Sequence, residues 1–252
     1  MTAPTVEVLS DKAALVQRAL GLVCDRIHQS VADHGYCTLA LAGGSTPKPL
    51  YQALAEEKLP WSKLYIFWGD ERYVGIDHPD SNAGMAKQAW LDRVAIPSEH
   101  IFIPSTTGGD PAASAQEYDA TIRDVFGQLQ GDAADTVPVF DLVLLGMGDD
   151  GHTASLFPHT AALSVQDRWV TVGHKHGDPR LTFTVPLINH SNMVIFLAAG
   201  ANKQDALGHI FADNADAFAY PARLIRPEGT LWWLLDEQAA ATLSATVSKV
   251  VE

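Results

Sequence analysis

The chain has 252 residues, 47% of them hydrophobic, which is enough to fill the core of one large α/β domain or two small ones. Thirty acidic residues against 17 lysines and arginines give a formal net charge of −13. That balance excludes the basic face a nucleic-acid partner needs, though not a local cluster of cations around a small anion.

Short apolar runs alternate with amphipathic stretches along nearly the whole chain, the pattern of a mainly parallel sheet covered by helices on both faces. Residues 6–9 read as a first strand. Ser10 is the expected cap of a long helix reaching about Asp33, with Ala14, Leu15, Ala19, Leu22, Val23 and Ile27 on one face. A buried strand is expected at 37–42. Gly43-Gly44-Ser45-Thr46-Pro47 then opens a helix, with Thr46 at the cap and Pro47 in the first turn. Strands follow at 65–68 and 100–103, around a helix at 81–93, and 110 to about 129 reads as a further helix. Strands are expected at 140–145, 169–172, 180–185 and 193–198. The last elements are a helix at 201–211, a strand at 231–235 and a helix from Glu237 onward. The 180–198 region holds little helix and is expected to add an antiparallel edge. The loops 104–111 and 131–138 are too short to be linkers, so one domain spanning 1–252 is expected.

The opening stretch MTAPTVEVLSDKAAL has neither a basic n-region nor an apolar h-region, so no secretory signal is expected. No apolar run approaches the length of a membrane span. Cys24 and Cys37 have no CxxC or metal-like spacing and both read as buried thiols in a reducing compartment. The expected location is the cytoplasm.

Four polar constellations carry the chemistry. The most informative is FDLVLLGMGDDGHTASLFP at 140–158. A buried strand ends in Gly146, Gly148 and Gly151, and a glycine turn delivers His152 to the carboxyl end of a sheet, where α/β proteins keep their ligand sites. The literal Gly-x-Gly-x-x-Gly pattern fails as a dinucleotide fingerprint. Asp149 and Asp150 lie where a pyrophosphate would sit, Pro158 stops the following helix, and no acid stands where the ribose needs one. An imidazole here can take a proton from water at neutral pH, oriented by Asp150 or Asp70. Ser155 lacks the Gly-x-Ser-x-Gly elbow of a nucleophile. His152 and His159 lack metal-ligand spacing, so no metal is expected.

The second constellation is AGGSTP at 42–47. Gly43 and Gly44 let backbone amides approach a ligand, while Ser45, Thr46 and a helix start add hydroxyls and positive potential, which suits one phosphate group. It is not a Walker loop, because no Gly-Lys-Ser/Thr follows. The third is FWGDERYV at 67–74, an apolar strand closing on Asp70, Glu71 and Arg72. Charges so dense at a strand end are either paired with one another or facing a ligand. Asp80-Ser81-Asn82 beyond it reads as a helix cap. The fourth is a pair of cations. Arg180 follows the loop 174–179, and Lys203 sits in GANKQDAL; with the 42–47 turn they would make a phosphate clamp.

Taken together, AGGSTPKPLY, WGDERYV with DSN, FDLVLLGMGDDGHTASLFP, PRLTFTVPLIN, GANK and PARLIRPEGTLWWLLDEQAA resemble the 6-phosphogluconolactonase family, in the family's order from about residue 39 to 240. The resemblance implies a Rossmann-like three-layer α/β/α fold similar to glucosamine-6-phosphate deaminase. It implies hydrolysis of 6-phospho-D-glucono-1,5-lactone, the second step of the oxidative pentose phosphate pathway, with no cofactor. By position it makes His152 the general base, with Asp70, Arg72 and Asp150 as active-site neighbours. Gly43, Gly44, Ser45, Thr46, Arg180 and Lys203 fall on the phosphate side. The implied partner is a small anionic sugar phosphate, and the chain is expected to work as a monomer or weak homodimer. The related deaminases carry a glutamate five residues after the histidine, where this chain has Phe157.

Overall fold

The computed structural model describes residues 3–131, 137–244 and 249–250. The chain starts with β1 (Thr5–Leu9), α1 (Lys12–His34), β2 (Cys37–Leu41), α2 (Pro47–Leu54), β3 (Leu64–Trp68), β4 (Asp70–Arg72) and α3 (Asn82–Ala89). It continues through α4 (Pro111–Gln130), β5 (Leu142–Gly146), β6 (Val170–Lys175), β7 (Asp178–Phe183) and α5 (Val185–Asn189). β8 (Met193–Ala198), α6 (Gln204–Ile210), β9 (Thr230–Asp236), α7 (Glu237–Ala240) and β10 (Lys249–Val250) follow.

Seven strands form one parallel sheet in the order β10-β1-β9-β8-β5-β2-β3. Side chains alternate between the two faces of a strand, and here both faces are apolar. On β5, Val143 and Leu145 join one core while Leu142 and Leu144 join the other. On β8 the same split separates Val194 and Phe196 from Ile195 and Leu197. α1, α2 and α3 cover one face through residues such as Leu15, Val23, Leu50 and Ala86. α4, α5, α6 and α7 cover the other through Ile122, Leu187, Leu207 and Ala239. This is the three-layer α/β/α arrangement, and strands buried on both faces explain why they read as continuous apolar runs. Among the described residues, no helix is long and apolar enough to cross a membrane.

Several boundaries differ from the sequence expectation, each for a local reason. Asp11, not Ser10, caps α1, its carboxylate accepting from the Ala14 amide at 2.8 Å. The 81–93 helix stops at Ala89, and a separate 3₁₀ turn covers Leu91–Arg93 after Trp90 leaves helical dihedrals. The expected strand at 100–103 is only a bridge from Ile101 to Ile66, preceded by a 3₁₀ turn over Ser98–His100. The strand expected at 180–185 begins earlier and gives way to α5, with Pro186 at its start. The antiparallel edge is a sheet of its own, β4-β7-β6. The expected loop at 174–179 is the tip of the β6–β7 hairpin, turned by His176 and Gly177 at φ 54° and 97°, the dihedral signature of a two-residue hairpin turn. The final helix is only Glu237–Ala240. Most of the loop expected at 131–138 lies outside the described residues.

Two buried tyrosines finish strands where the ladder ends. The Tyr51 hydroxyl accepts from the Ala42 amide (3.0 Å) and donates to the Ala42 carbonyl (2.7 Å), just past β2. The Tyr118 hydroxyl, from α4, accepts from the Trp68 amide at 2.8 Å and donates to the Phe102 carbonyl at 3.1 Å. Replacing Tyr118 by Phe strands a buried amide, so urea unfolding should register a loss of about 1–3 kcal/mol. A change below about 0.5 kcal/mol would mean that the amide finds another partner.

Candidate active site

β2 leads outward to β3 at one edge, and the chain later re-enters beside β2 as β5 and proceeds the other way through β8. The loops after β2 and β5 therefore part, and a crevice opens at their carboxyl ends, the place where open α/β sheets bind ligands. A cleft of about 370 Å³ lies there. Its walls come from the 43–46 turn, Asp70 and Arg72, the turn after β5 with His152, Lys175 and Arg180 of the small sheet, and Asn202 and Lys203 after β8. The site residues expected from the sequence thus meet in one cleft, with Asp150 joined to it through His152.

The turn after β5 holds the imidazole rigidly. The Gly148 amide donates to the His152 carbonyl at 2.8 Å, and Thr153 Oγ1 donates to the Gly146 carbonyl at 2.8 Å. A side chain at 148 would put its Cβ 2.0 Å from His152 Nδ1, so only glycine lets the ring fold back over the turn. His152 Nδ1 lies 2.5 Å from Asp150 Oδ1, which also accepts from the His152 amide at 3.0 Å. Partial burial pushes the Asp150 carboxyl up, but the bonds from His152 outweigh it and leave the pKa at about 2. A carboxylate only accepts, so Nδ1 is the nitrogen that donates to Asp150, the tautomer that in a neutral ring leaves the lone pair on Nε2. Between the two carboxylates offered by the sequence, the structure puts Asp150 on the imidazole. Phe157 packs against the ring at 4.5 Å between centroids.

Strand alternation sorts the Asp-Glu-Arg cluster of β4. Glu71 points away from the cleft and is almost wholly buried. It accepts from the amides of Arg72, Asn82 and Ala83 at 2.7–2.8 Å and from Ser81 Oγ at 3.1 Å, seating the start of α3. Burial pushes its carboxyl pKa up, and those backbone amides pull it back. Asp70 and Arg72 share the opposite side and line the cleft. Asp70 Oδ2 accepts from Ser155 Oγ at 2.7 Å, and its backbone carbonyl accepts from Asn82 Nδ2 at 2.9 Å.

Arg72, Lys175, Arg180 and Lys203 line the cleft together. Arg72 and Arg180 are direct cross-strand partners on β4 and β7, a like-charge pairing that is unfavourable unless something negative lies between the groups. Arg72 spends Nη1 on the Asp80 carbonyl (2.5 Å), while its buried Nε has no partner. The pKa of Arg180 is lowered first by burial and then by Arg72. That of Lys203 is lowered by burial, against the pull of Asp149 and Asp150. At the 43–46 turn, Thr46 occupies the cap position of α2 without making a side-chain cap bond. Its hydroxyl is therefore not spent on the start of the helix. Lys12 Nζ reaches from the start of α1 to the Ser45 carbonyl at 2.9 Å.

Residues 10–233 match the family described as glucosamine-6-phosphate isomerases/6-phosphogluconolactonase. The chain belongs to this family. It is 57% identical over 241 residues to a 6-phosphogluconolactonase of Synechocystis, covering 96% of this chain and 99% of that one. It is 39% identical to a probable 6-phosphogluconolactonase of Arabidopsis thaliana, over 85% and 84% of the two chains. Among solved structures, the 6-phosphogluconolactonase of Trypanosoma cruzi superposes with a TM-score of 0.85 at 32% identity, over 96% and 98% of the chains. A monomeric glucosamine-6-phosphate deaminase shares the fold, with a TM-score of 0.77 at 22% identity over 94% and 99%.

Within this glucosamine-6-phosphate isomerase/6-phosphogluconolactonase fold, sequence reading missed several walls of the cleft. Asn82 was legible only as part of a cap, and it does follow the capping Ser81, whose Oγ accepts from the Gly84 amide at 3.0 Å. Asn202 sits beside Lys203 in the GANK segment without a signal of its own. Lys175 looked like loop until the hairpin placed it over Phe157, its Nζ 5.7 Å from the ring centroid.

The Asp150 pKa, lowered below its unfolded value, contributes stability that is present at neutral pH and lost as pH falls toward about 2. Carbon NMR titration should place the Asp150 midpoint near 2 and move it upward in His152→Ala. A midpoint unmoved by that substitution would remove the imidazole as its cause.

Proposed function

We propose that the protein hydrolyses 6-phospho-D-glucono-1,5-lactone to 6-phospho-D-gluconate, the second step of the oxidative pentose phosphate pathway. The observation that carries the reading is a histidine with Nδ1 held by an ionised Asp150, in a cleft that also gathers Arg72, Lys175, Arg180 and Lys203. Family membership supports the substrate class.

A lactone carbonyl is electrophilic enough to react without a covalent enzyme intermediate. His152 Nε2 takes a proton from water as the water oxygen bonds to C1, and the carbonyl electrons move onto oxygen. Collapse of this tetrahedral intermediate breaks the bond from C1 to the ring oxygen. The imidazolium returns its proton to that oxygen, leaving a free hydroxyl and a carboxylic acid, which releases its own proton to water and becomes the carboxylate. Two amides of the turn, Gly148 and Gly151, already donate within it. Arg72, with a buried and unpartnered Nε, is the better-supplied donor to the developing oxyanion. Asp70 accepts from sugar hydroxyls. The 43–46 turn, Arg180 and Lys203 hold the phosphate, and that remote binding fixes C1 over the base.

Phe157 argues against deaminase chemistry. It stands where those relatives are expected to have a glutamate, and an aromatic ring neither gives nor takes a proton. A single histidine suffices for lactone opening, whereas amination and isomerisation need further proton transfers.

The test is to generate the lactone in situ by oxidising glucose 6-phosphate and follow its loss, with the spontaneous rate subtracted. His152→Ala should lower kcat by about 10²–10⁴, and a near-normal kcat would take His152 out of the role. Arg180→Ala should mainly raise KM; a loss confined to kcat would assign Arg180 to the reacting centre instead.

A further inference from the structure

Ser155 lies in the same segment as His152 and looks at first like a spare nucleophile. It is fully buried and forms none of the cleft's walls, so no substrate carbonyl reaches it. Its bonds point elsewhere. Oγ donates to Asp70 Oδ2 at 2.7 Å, and its amide donates to Thr182 Oγ1 at 3.1 Å. Asp70 and Thr182 are themselves cross-strand partners on β4 and β7. Residue 155 also sits directly on β6. A Cβ on Gly173 would lie 2.1 Å from the Ser155 carbonyl oxygen, so the absent side chain lets the two backbones touch. Ser155 is thereby gripped by all three strands of the small sheet, three residues after His152.

We propose that Ser155 is a positioning residue that acts through Asp70. Asp70 belongs to the small sheet, and His152 to the turn leaving the large one. The Ser155–Asp70 bond is a direct side-chain link between the segment carrying the base and the carboxylate that faces the ligand. It holds one carboxylate oxygen, while Asn82 Nδ2 stands 3.4 Å from the other. The rotamer of Asp70, and with it the spacing between base and hydroxyl acceptor, is then set by a residue that never meets substrate. The inference rests on the lactonase reading for Asp70's ligand and on geometry alone for the link.

A double-mutant cycle tests it. Ser155→Ala should lower kcat/KM about 10- to 100-fold in the wild-type background, the scale of one bond to a charged group. In an Asp70→Ala background it should cost less than about twofold more. The loss should divide between kcat and KM as it does in Asp70→Ala. Ser155→Cys, which keeps a weak donor of similar size, should fall between wild type and Ser155→Ala, and it carries the cycle if the alanine variant does not fold. An equal loss in both backgrounds would make Ser155 merely structural, and no loss would show that Asp70 is held without it; either result overturns the proposal. A wild-type protein inactive on the lactone would overturn only the functional reading. The same cycle read by calorimetry with 6-phosphogluconate then decides the link, and a lack of coupling there overturns it.

Discussion

A parallel strand that stops leaves its last backbone groups without ladder partners, and an amide buried in that state costs about 1–3 kcal/mol. The architecture of this site depends on how those ends are satisfied. Tyr51 and Tyr118 close the ends of β2 and β3 from helices on opposite faces of the sheet. Asp236, at the end of β9, turns its carboxylate to the amides of Gly200 and Ala239 at 2.8–3.1 Å. With their ends tied off by side chains, the loops beyond need not fold back over the sheet to find partners. They are left to form walls: the 43–46 turn after β2, the Asp70 strand after β3, and the Asn202–Lys203 turn after β8.

The same tying-off explains how an acidic protein keeps a cationic pocket. Three acids beside the site are committed, while a fourth, Asp149, lines the cleft and acts on Lys203. Glu71 is taken by the amides that start α3, Asp150 by the imidazole, and one oxygen of Asp70 by Ser155. The cations are not neutralised in the same way. Arg72 and Arg180 face each other across two strands with no carboxylate within ion-pair distance of either among the described residues. The remaining negative charge is spread over the outer surface, where solvent and salt screen it. Net charge thus describes solubility, while the pocket's sign is set by which charges the backbone leaves unspent.

Much of this was legible in the sequence, because the motifs sit where a strand period meets a glycine turn. Phe140 to Gly146 followed by a histidine marks the residue proposed as base, and AGGSTP after an apolar strand marks the turn proposed for the anion; both reach the cleft. What stayed hidden depends on long-range pairing. The Asp-Glu-Arg cluster reads as the charged end of one strand, yet Gly69 turns the chain out of the large sheet and makes those residues a strand of a second one. The register that sets Arg72 against Arg180 spans more than a hundred residues, and local periodicity carries no trace of it. The partner of Ser155 is 85 positions away, so only the serine's lack of a nucleophile's turn could be read. The misplaced helix and strand ends are smaller errors of the same origin, settled by the caps at Asp11 and Ser81 and by the hairpin at His176 and Gly177.

Phe157 joins the two halves of the cleft in physical terms. Its ring packs on His152 at 4.5 Å, while the guanidinium of Arg180 and the ammonium of Lys175 stand 5.5 and 5.7 Å from its centroid. Cations are held over such a ring by its quadrupole without being neutralised. A carboxylate at that position would pair with Arg180 or Lys175 and draw them from the phosphate proposed to bind there. It would also put a second titrating group beside the imidazole. The aromatic ring spaces imidazole and cations while competing with neither, which suits the proposed reaction, in which His152 alone carries the proton.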